Sequence, residues 1–380
     1  MSVSRHIAKG LSRLWEVLRT DHWTGFPTLA GRSNTWVTGF VVAHVAALAS
    51  NARGISRCRR FLARHRFDGG GWGYGPGVPG DADSTAWCLA ALVRSRALGA
   101  GARREATAFL DIHLEDGGLR TYLPDSGIRE FIHASHGQSI DGWTQPHADV
   151  TAAALNTAVF ARGGAAAKSS LQWLCTTQDR AGILPAYWWR VPYYTAALTL
   201  RAFVRHRLRP PVSLVMLLAD LLRRKQLDHG GYGLGASMQV DAFSTALALE
   251  CLIHLADPAD AGRRDAAATA LRRTQSEDGG WRGDFVLRIP APNVVDPKLV
   301  AEWSRTSGGG NAFVPDQDGV FATALACHAL ALHEAMVTGR HAGLAQPWPE
   351  LELPKAAPDP LVVVIENPLP EEAERCQEPG

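Results

Sequence analysis

A short phrase recurs six times along the chain and constrains the fold more than any other feature. In each copy a threonine opens a run rich in alanine and leucine, as in DADSTAWCLAAL and DAFSTALALECL. Runs of this composition are typical of helices that are buried on every side. The six threonines are Thr38, Thr85, Thr151, Thr195, Thr245 and Thr323.

A second phrase precedes most copies and has the chemistry of a turn. It sets an acidic residue before two glycines and a large apolar residue, as in FDGGGW, LDHGGY and SEDGGW. Glycine adopts the backbone angles that end a helix, and the large apolar residue plugs the turn. Six units of helix, turn and helix predict an all-α fold, an (α/α)6 barrel with six inner helices around a cavity and six outer helices behind them. An open solenoid and a four-helix bundle are the alternatives.

The two ends of the chain differ from the repeats. We predict that residues 1–20 form an amphipathic helix packed on the barrel, with contact to a membrane surface as the alternative. The barrel itself is predicted to span residues 21–346. Residues 347–380 are rich in proline and glutamate, which predicts a largely disordered tail.

Charge and cysteine content narrow the class of protein. A net charge of +2 gives no indication of nucleic-acid binding. The six cysteines are scattered and form no Cys-x-x-Cys pair, which predicts reduced thiols in a cytoplasmic protein.

Aligning the copies on their threonines groups the side chains into layers. Equivalent positions in a closed ring point the same way, so the residues two before each threonine share a layer of four aromatic and two acidic side chains. They are Trp36, Asp83, Asp149, Tyr193, Phe243 and Phe321. The position four before the threonine holds Asp81, His147 and Asp241, closer to the helix starts. This pattern predicts an aromatic cup with acid on one side, and N-capping is the alternative role for the aspartates.

One segment resembles a known family. GGWGYGPGVPGDADSTAW resembles the acid motif of squalene–hopene cyclases and related class II terpene cyclases, in which Gly-Gly-Trp-Gly precedes Asp-x-Asp-Asp-Thr-Ala. RRTQSEDGGW resembles the Gln…Gly-x-Trp repeat of that superfamily. The resemblance implies a terpenoid cyclase that starts its reaction by protonation, with Asp83 as the general acid and Asp81 at the first aspartate. Ser84 replaces the third aspartate, so Asp149 is the candidate to supply the missing carboxylate and His147 to hydrogen-bond Asp83.

The residues suit this chemistry. An acid that protonates an alkene must keep its proton near neutral pH, and burial beside a second carboxylate raises its pKa. Aromatic faces then stabilise the carbocation. The predicted substrate-binding residues are Trp36, Tyr193, Phe243, Phe321, Trp188, Trp189, Asp241 and Arg190. Squalene cyclases have two such barrels, and the length of this chain allows one, so the expected isoprenoid is of farnesyl or geranylgeranyl size.

The superfamily also includes protein prenyltransferase β subunits, which are zinc enzymes. Of the zinc ligands Asp241 is kept, but Phe243 stands in place of the cysteine and the late histidine is missing, so no zinc is expected. Proton transfer needs no cofactor, and Mg²⁺ is a candidate only if the substrate carries a diphosphate. A non-catalytic isoprenoid-binding barrel and a transferase-type subunit that requires a partner are the alternative functions.

Overall fold

The structure is a computed structural model, described here for residues 4–28, 31–49, 51–92, 97–157, 159–234, 237–305 and 310–339. The chain divides into a large unit, Met1–Pro347, and a C-terminal unit, Trp348–Gly380. The predicted tail, residues 347–380, lies outside the described residues.

Six inner helices begin at the repeated threonine phrase and form a closed ring. Each contacts the next along the chain, and the last contacts the first. Closure decides against the open solenoid and the four-helix bundle and confirms the predicted all-α barrel. The inner helices are α2 Thr35–Val45, α4 Ala82–Leu92, α8 Ala148–Leu155, α10 Tyr194–His206, α12 Ala242–Leu255 and α14 Val320–Val337.

Six outer helices pack behind the ring. The N-terminal helix is one of them, because its apolar face of Ile7, Leu11 and Leu14 is buried and it contacts α14. The outer helices are α1 Arg5–Val17, α3 Ala52–Arg64, α5 Ala100–Asp111, α9 Ala165–Thr176, α11 Val212–Lys225 and α13 Ala261–Thr274.

Short elements fill the connections. The helices are α6 Ile128–Phe131 and α7 Asp141–Thr144, with 3-10 turns at Pro258–Asp260 and Pro297–Leu299. The strands pair antiparallel, β1 with β2, β3 with β4, β4 with β5, and β6 with β7. Their bounds are β1 Pro27–Thr28, β2 Gly31–Arg32, β3 Leu114–Glu115, β4 Gly118–Arg120, β5 Pro146–His147, β6 Leu287–Ile289 and β7 Ala312–Val314.

The repeated threonine ties each inner helix to the turn before it. The hydroxyl of Thr85 accepts the main-chain N–H of Trp72 at 3.0 Å, and that of Thr245 accepts the N–H of Tyr232 at 3.0 Å. Trp23, Leu119 and Trp281 donate in the same way in their copies. In the remaining copy the turn residue is Pro185, which has no N–H, and the hydroxyl of Thr195 donates to its carbonyl instead. The threonines therefore satisfy buried backbone groups at the joints of the ring.

The aromatic residue of the turn secures the preceding outer helix. The indole N–H of Trp72 donates to the carbonyl of Leu62 at 2.7 Å, and that of Trp281 donates to the carbonyl of Leu271 at 2.7 Å. Each bond satisfies a carbonyl in the last turns of an outer helix, where helical partners are missing.

Within the described residues one helix, α14, is long and apolar enough to cross a membrane by length and composition. Most of it is buried inside the protein, as in the core helix of a barrel.

Candidate functional site

A cavity of about 640 Å³ opens where the inner helices begin. Its wall includes Trp36 from α2 and Asp81, Asp83 and Ser84 from the start of α4. Two long connections complete the mouth with mainly apolar side chains. The first supplies Tyr122, Ile128, Phe131, Ile132 and Trp143, and the second supplies Leu287, Ile289, Pro292, Ala312 and Val314.

Asp81 is the N-cap of α4 and is almost fully buried. Its Oδ1 accepts the main-chain N–H of Ser84 at 2.7 Å, and its Oδ2 accepts the hydroxyl of Ser84 at 2.6 Å. Burial raises the pKa of Asp81 to about 7, although these hydrogen bonds oppose the shift. The serine that replaces the third aspartate therefore bonds to the capping carboxylate.

Asp83 lies in the first turn of α4 and faces the cavity. Its Oδ2 accepts the indole N–H of Trp36 at 2.7 Å. Burial raises the pKa of Asp83 well above its ordinary value, and the nearby carboxylates of Asp81 and Asp149 raise it further. The acid therefore retains its proton at a pH where an exposed aspartate is ionised, while one oxygen is held by a donor.

Trp36 also belongs to an aromatic cluster beside the acid. Its ring centroid lies 5.5 Å from that of Phe321 and 5.7 Å from that of Trp189. Trp189 stacks on Phe243 at 5.1 Å. Trp36 lines the cavity, and the other three rings are buried behind it. The cluster is assembled from the starts of α2, α12 and α14 and the turn before α10, and it contains Trp189 in place of the predicted Tyr193.

No family model matches the chain, and no curated protein does. Solved structures do match. A variant of the type II terpene cyclase MstE from Scytonema, in complex with geranylgeranyl dihydroxybenzoate as substrate, is 24% identical with a TM-score of 0.79, over 87% of this chain and 97% of that chain. A second MstE variant, in complex with the product merosterolic acid A, is 26% identical with a TM-score of 0.78, over 87% and 96%. A protein from Actinoplanes is 28% identical with a TM-score of 0.75, over 87% and 98%.

This chain has the fold of the type II terpene cyclases. The match covers nearly the whole length of each neighbour, so the single barrel is common to all of them. The resemblance seen in the sequence is confirmed at the level of the fold.

Asp149 lies in the first turn of α8 and is bonded to the turn before α10. Its Oδ2 accepts the main-chain N–H of Trp188 at 2.9 Å, and burial raises its pKa. The carboxyl group therefore holds the turn that carries Trp188 on the cavity wall. It acts on Asp83 through charge, which raises the pKa of Asp83.

His147 does not make the hydrogen bond to Asp83 that was predicted for it. Its Nε2 bonds to the carbonyl of Gly142 at 2.8 Å, so this nitrogen carries the proton, and its Nδ1 accepts the hydroxyl of Thr121 at 2.7 Å. Thr121 in turn accepts the indole N–H of Trp188 at 2.9 Å. Burial lowers the pKa of His147 to about 3, so the ring is neutral and anchors the cavity wall.

Tyr193 also departs from the prediction. Its ring packs against Tyr232 with centroids 5.3 Å apart and does not line the cavity. Tyr194, the next residue, takes its place and stacks on Trp189 at 4.3 Å. The pKa of Tyr194 is raised by burial first and then by the charges of Asp83 and Asp149.

Asp241 and Arg190 lie outside the lining of the described cavity. Asp241 is the N-cap of α12, and its Oδ1 accepts the N–H of Ser244 at 2.6 Å. The guanidinium of Arg190 donates to the carbonyl of Phe285 at 2.7 Å and lies 3.7 Å from the ring centroid of Phe313. Both residues stabilise the scaffold around the cavity, in contrast to the substrate contact predicted for them.

The sequence reasoning missed Trp87 on α4. Its indole N–H approaches Asp83 closely enough to lower the pKa of that acid, without reaching hydrogen-bond geometry. Trp87 stands two residues after Thr85, on the same repeat that supplies the acid motif. Extending the alignment beyond the threonine would have found it.

The same extension finds a polar layer below the aromatic cluster. Arg201 donates to both oxygens of Glu250 at 2.7 and 2.8 Å and lies 3.4 Å from Nε2 of His44. The ring of His328 lies 5.2 Å from that of His44. All four residues stand five or six positions after a repeated threonine. The pair of Arg201 and Glu250 links α10 to α12 inside the ring.

Proposed function

We propose that this protein is a type II terpenoid cyclase in which Asp83 is the general acid. The observation that carries the proposal is a carboxyl group of raised pKa that faces an apolar cavity and is held by the indole N–H of Trp36. The similarity to type II terpene cyclase structures that hold substrate and product supports it.

The reaction begins when Asp83 transfers its proton to a terminal carbon–carbon double bond of the substrate. The alkene supplies the electron pair for the new C–H bond, and the neighbouring carbon becomes a cation. A second double bond of the same chain attacks that cation and closes a ring. The last cation loses a proton, either directly or after water has added to it, and a proton that returns through water to the carboxylate of Asp83 restores the acid.

The carbocation needs stabilisation by groups that cannot trap it as nucleophiles. Trp36 and Trp188 present aromatic rings to the cavity. Trp189 and Phe321 pack against Trp36, and Phe243 stacks on Trp189. Each ring face contributes about 0.5–2 kcal/mol of cation–π attraction, with the larger values in a dry site.

A substrate of farnesyl or geranylgeranyl size suits the site. The cavity of about 640 Å³ falls in the usual range for small-molecule sites. The MstE neighbour binds geranylgeranyl dihydroxybenzoate, which has a geranylgeranyl chain. Proton transfer from Asp83 requires no cofactor. Within the described residues no group of three or more His, Cys, Asp or Glu is placed to hold a metal ion, so no step is assigned to Mg²⁺ or zinc.

The decisive experiment compares wild type with Asp83→Asn and Asp241→Asn. Each is incubated with farnesyl and geranylgeranyl substrates, as alcohols and as diphosphates with Mg²⁺, and products are identified by mass spectrometry. Loss of the general acid is expected to reduce cyclisation by at least about 10²-fold. Asp241→Asn is the matched control, because asparagine also caps helices well and Asp241 lies outside the cavity lining.

Ligand binding separates the proposal from its alternatives. Asp83→Asn should still bind substrate, as measured by quenching of the cavity tryptophans. Wild-type rates of cyclisation in Asp83→Asn would refute the role of Asp83. Binding without turnover in every protein would favour a non-catalytic isoprenoid-binding barrel, and activity only with a co-purifying chain would favour a transferase-type subunit.

A further inference from the structure

The distribution of charge around the cavity bears on the head group of the substrate. None of the described residues that line the cavity is lysine or arginine. Its ionisable lining groups include Asp81 and Asp83 in the interior and His133 at the exposed mouth. The described lining is therefore acidic within and carries no permanent positive charge.

Three arginines of the connections around the mouth are engaged by main-chain carbonyl groups. Arg129 donates to two carbonyl oxygens of its own loop at 2.8 and 2.6 Å. Arg288 donates to a carbonyl of the turn before α10 at 2.9 Å, and Arg190 donates to a carbonyl just before β6 at 2.7 Å. These bonds hold the connections that form the mouth, and none of the three side chains belongs to the lining.

A diphosphate would be poorly accommodated at such a mouth. It carries several negative charges, and proteins recognise it with Arg, Lys or metal ions. Without such partners the diphosphate would lose its hydrogen bonds to water and gain few polar contacts from the protein.

We propose that the substrate is an isoprenoid with an uncharged, hydrogen-bonding head group, such as an alcohol, ester or phenol, and not an isoprenoid diphosphate. The proposal rests on the cyclase function proposed for the same cavity. The mouth offers the amide of Gln138, the imidazole of His133 and the hydroxyl of Tyr74 as polar contacts. Phe131 and Trp143 add apolar surface beside them.

Binding is measured with Asp83→Asn, which cannot consume the probe. Geranylgeraniol and geranylgeranyl diphosphate have the same chain and differ only in the head group. Quenching of tryptophan fluorescence should show that geranylgeraniol binds at least about tenfold more tightly, a difference that corresponds to about 1.4 kcal/mol. Addition of Mg²⁺ should not reduce this difference in affinity. Equal or tighter binding of the diphosphate, with or without Mg²⁺, would overturn the proposal.

A charge added to the lining tests the cause directly. Ile289 lies half-buried on β6 at the mouth. In the Asp83→Asn background, Ile289→Arg should raise the affinity for geranylgeranyl diphosphate by about tenfold, because one new cation then faces the head group. Ile289→Gln adds a polar side chain without charge and should give no such gain. If a folded Ile289→Arg variant also gives no gain, lack of cations is not the reason for discrimination and the proposal fails.

Turnover by wild type distinguishes failure of this proposal from failure of the proposed function. If the diphosphate alone is cyclised and the reaction depends on Asp83, the cyclase function stands and the head-group proposal falls. If neither probe is converted while geranylgeraniol still binds more tightly, the head-group proposal stands and the cyclase function falls.

Discussion

Trp36→Phe is the sharpest test of the proposed acid. The substitution keeps an aromatic ring in the cluster and removes the indole N–H that donates to Asp83 at 2.7 Å. Trp36 is 3% exposed, so water replaces the lost donor poorly. The change acts on the acid through one hydrogen bond.

The size of the effect follows from the charge on Asp83. A hydrogen bond to a charged group contributes about 1.5–3 kcal/mol, and one between neutral groups about 0.5–1.5 kcal/mol. The bond from Trp36 therefore favours the carboxylate over the protonated acid by roughly 1–1.5 kcal/mol. Its loss makes Asp83 about a tenfold weaker acid, since 1.36 kcal/mol corresponds to a factor of ten. We expect cyclisation to slow by about three- to tenfold, because the proton is only partly transferred in the transition state.

The assay is the pH dependence of the cyclisation rate. Asp83 acts in its protonated form, so activity is present below its pKa and is lost as the pH rises through it. The bond from Trp36 lowers that pKa, and Trp36→Phe should raise it. The rate at low pH should therefore fall while the alkaline limb of the profile moves to higher pH. Trp189→Phe, which alters the same cluster without touching the donor to Asp83, should leave the limb in place. If the alkaline limb of Trp36→Phe is unchanged or moves to lower pH, the hydrogen bond from Trp36 does not lower the pKa of the catalytic acid and the prediction is refuted.

Three further predictions concern stability and can be checked by urea or thermal unfolding. Thr245→Val should lower the free energy of unfolding by about 1–3 kcal/mol, because it leaves a buried turn N–H without an acceptor. Thr199→Val is the control and should be near neutral, because that hydroxyl is buried with no hydrogen-bond partner in the described residues. Equal losses of stability in the two variants would contradict the role of the repeated threonine. Gly10→Ala should lower the free energy of unfolding by about 1–3 kcal/mol, because the new Cβ would lie 2.5 Å from a sulfur atom of α14. Gly101→Ala on α5 meets no atom within 4 Å and should raise the free energy of unfolding by about 0.5–1 kcal/mol. A neutral Gly10→Ala would show that α1 is not closely packed. Burial raises the pKa of Asp316 to about 7. The contribution of Asp316 to the free energy of unfolding is therefore full below pH 4 and is lost as the pH rises to about 7. Asp316→Asn should reduce the pH dependence of stability between about pH 4 and 7, and an unchanged slope would exclude Asp316 as the cause of that dependence.

The inner helices were predictable because their sequence signal has a single physical source. A buried threonine must find a hydrogen-bond partner, and each copy finds it in the turn before its helix. Asp81 caps α4, which was the alternative role considered for the aspartates, and Asp83 faces the cavity from the first turn of that helix. Both positions are fixed by helix geometry alone.

Register alone does not give the direction of a side chain that precedes its helix. Tyr193 lies just before α10, and the conformation of that turn directs its ring toward Tyr232. Tyr194 lies inside the helix, and its ring reaches the aromatic cluster. His147 likewise belongs to β5 and bonds to Thr121 and Gly142, which lie in a connection with no counterpart in the other copies. The connections differ from one copy to the next, so the alignment of the repeats could not predict the contacts that these connections make.

The packing of α1 against α14 has a consequence for biosynthesis. The sulfur of Cys327 lies 3.8 Å from the carbonyl oxygen of Ile7, across 320 positions of sequence. During synthesis the apolar face of α1 therefore emerges from the ribosome long before its partner α14 does. Until then the ring has a gap flanked by α12 and α2, which both contact α14 in the finished fold. Closure of the barrel is therefore a long-range event, and the growing protein needs protection from aggregation at that gap until α14 has emerged.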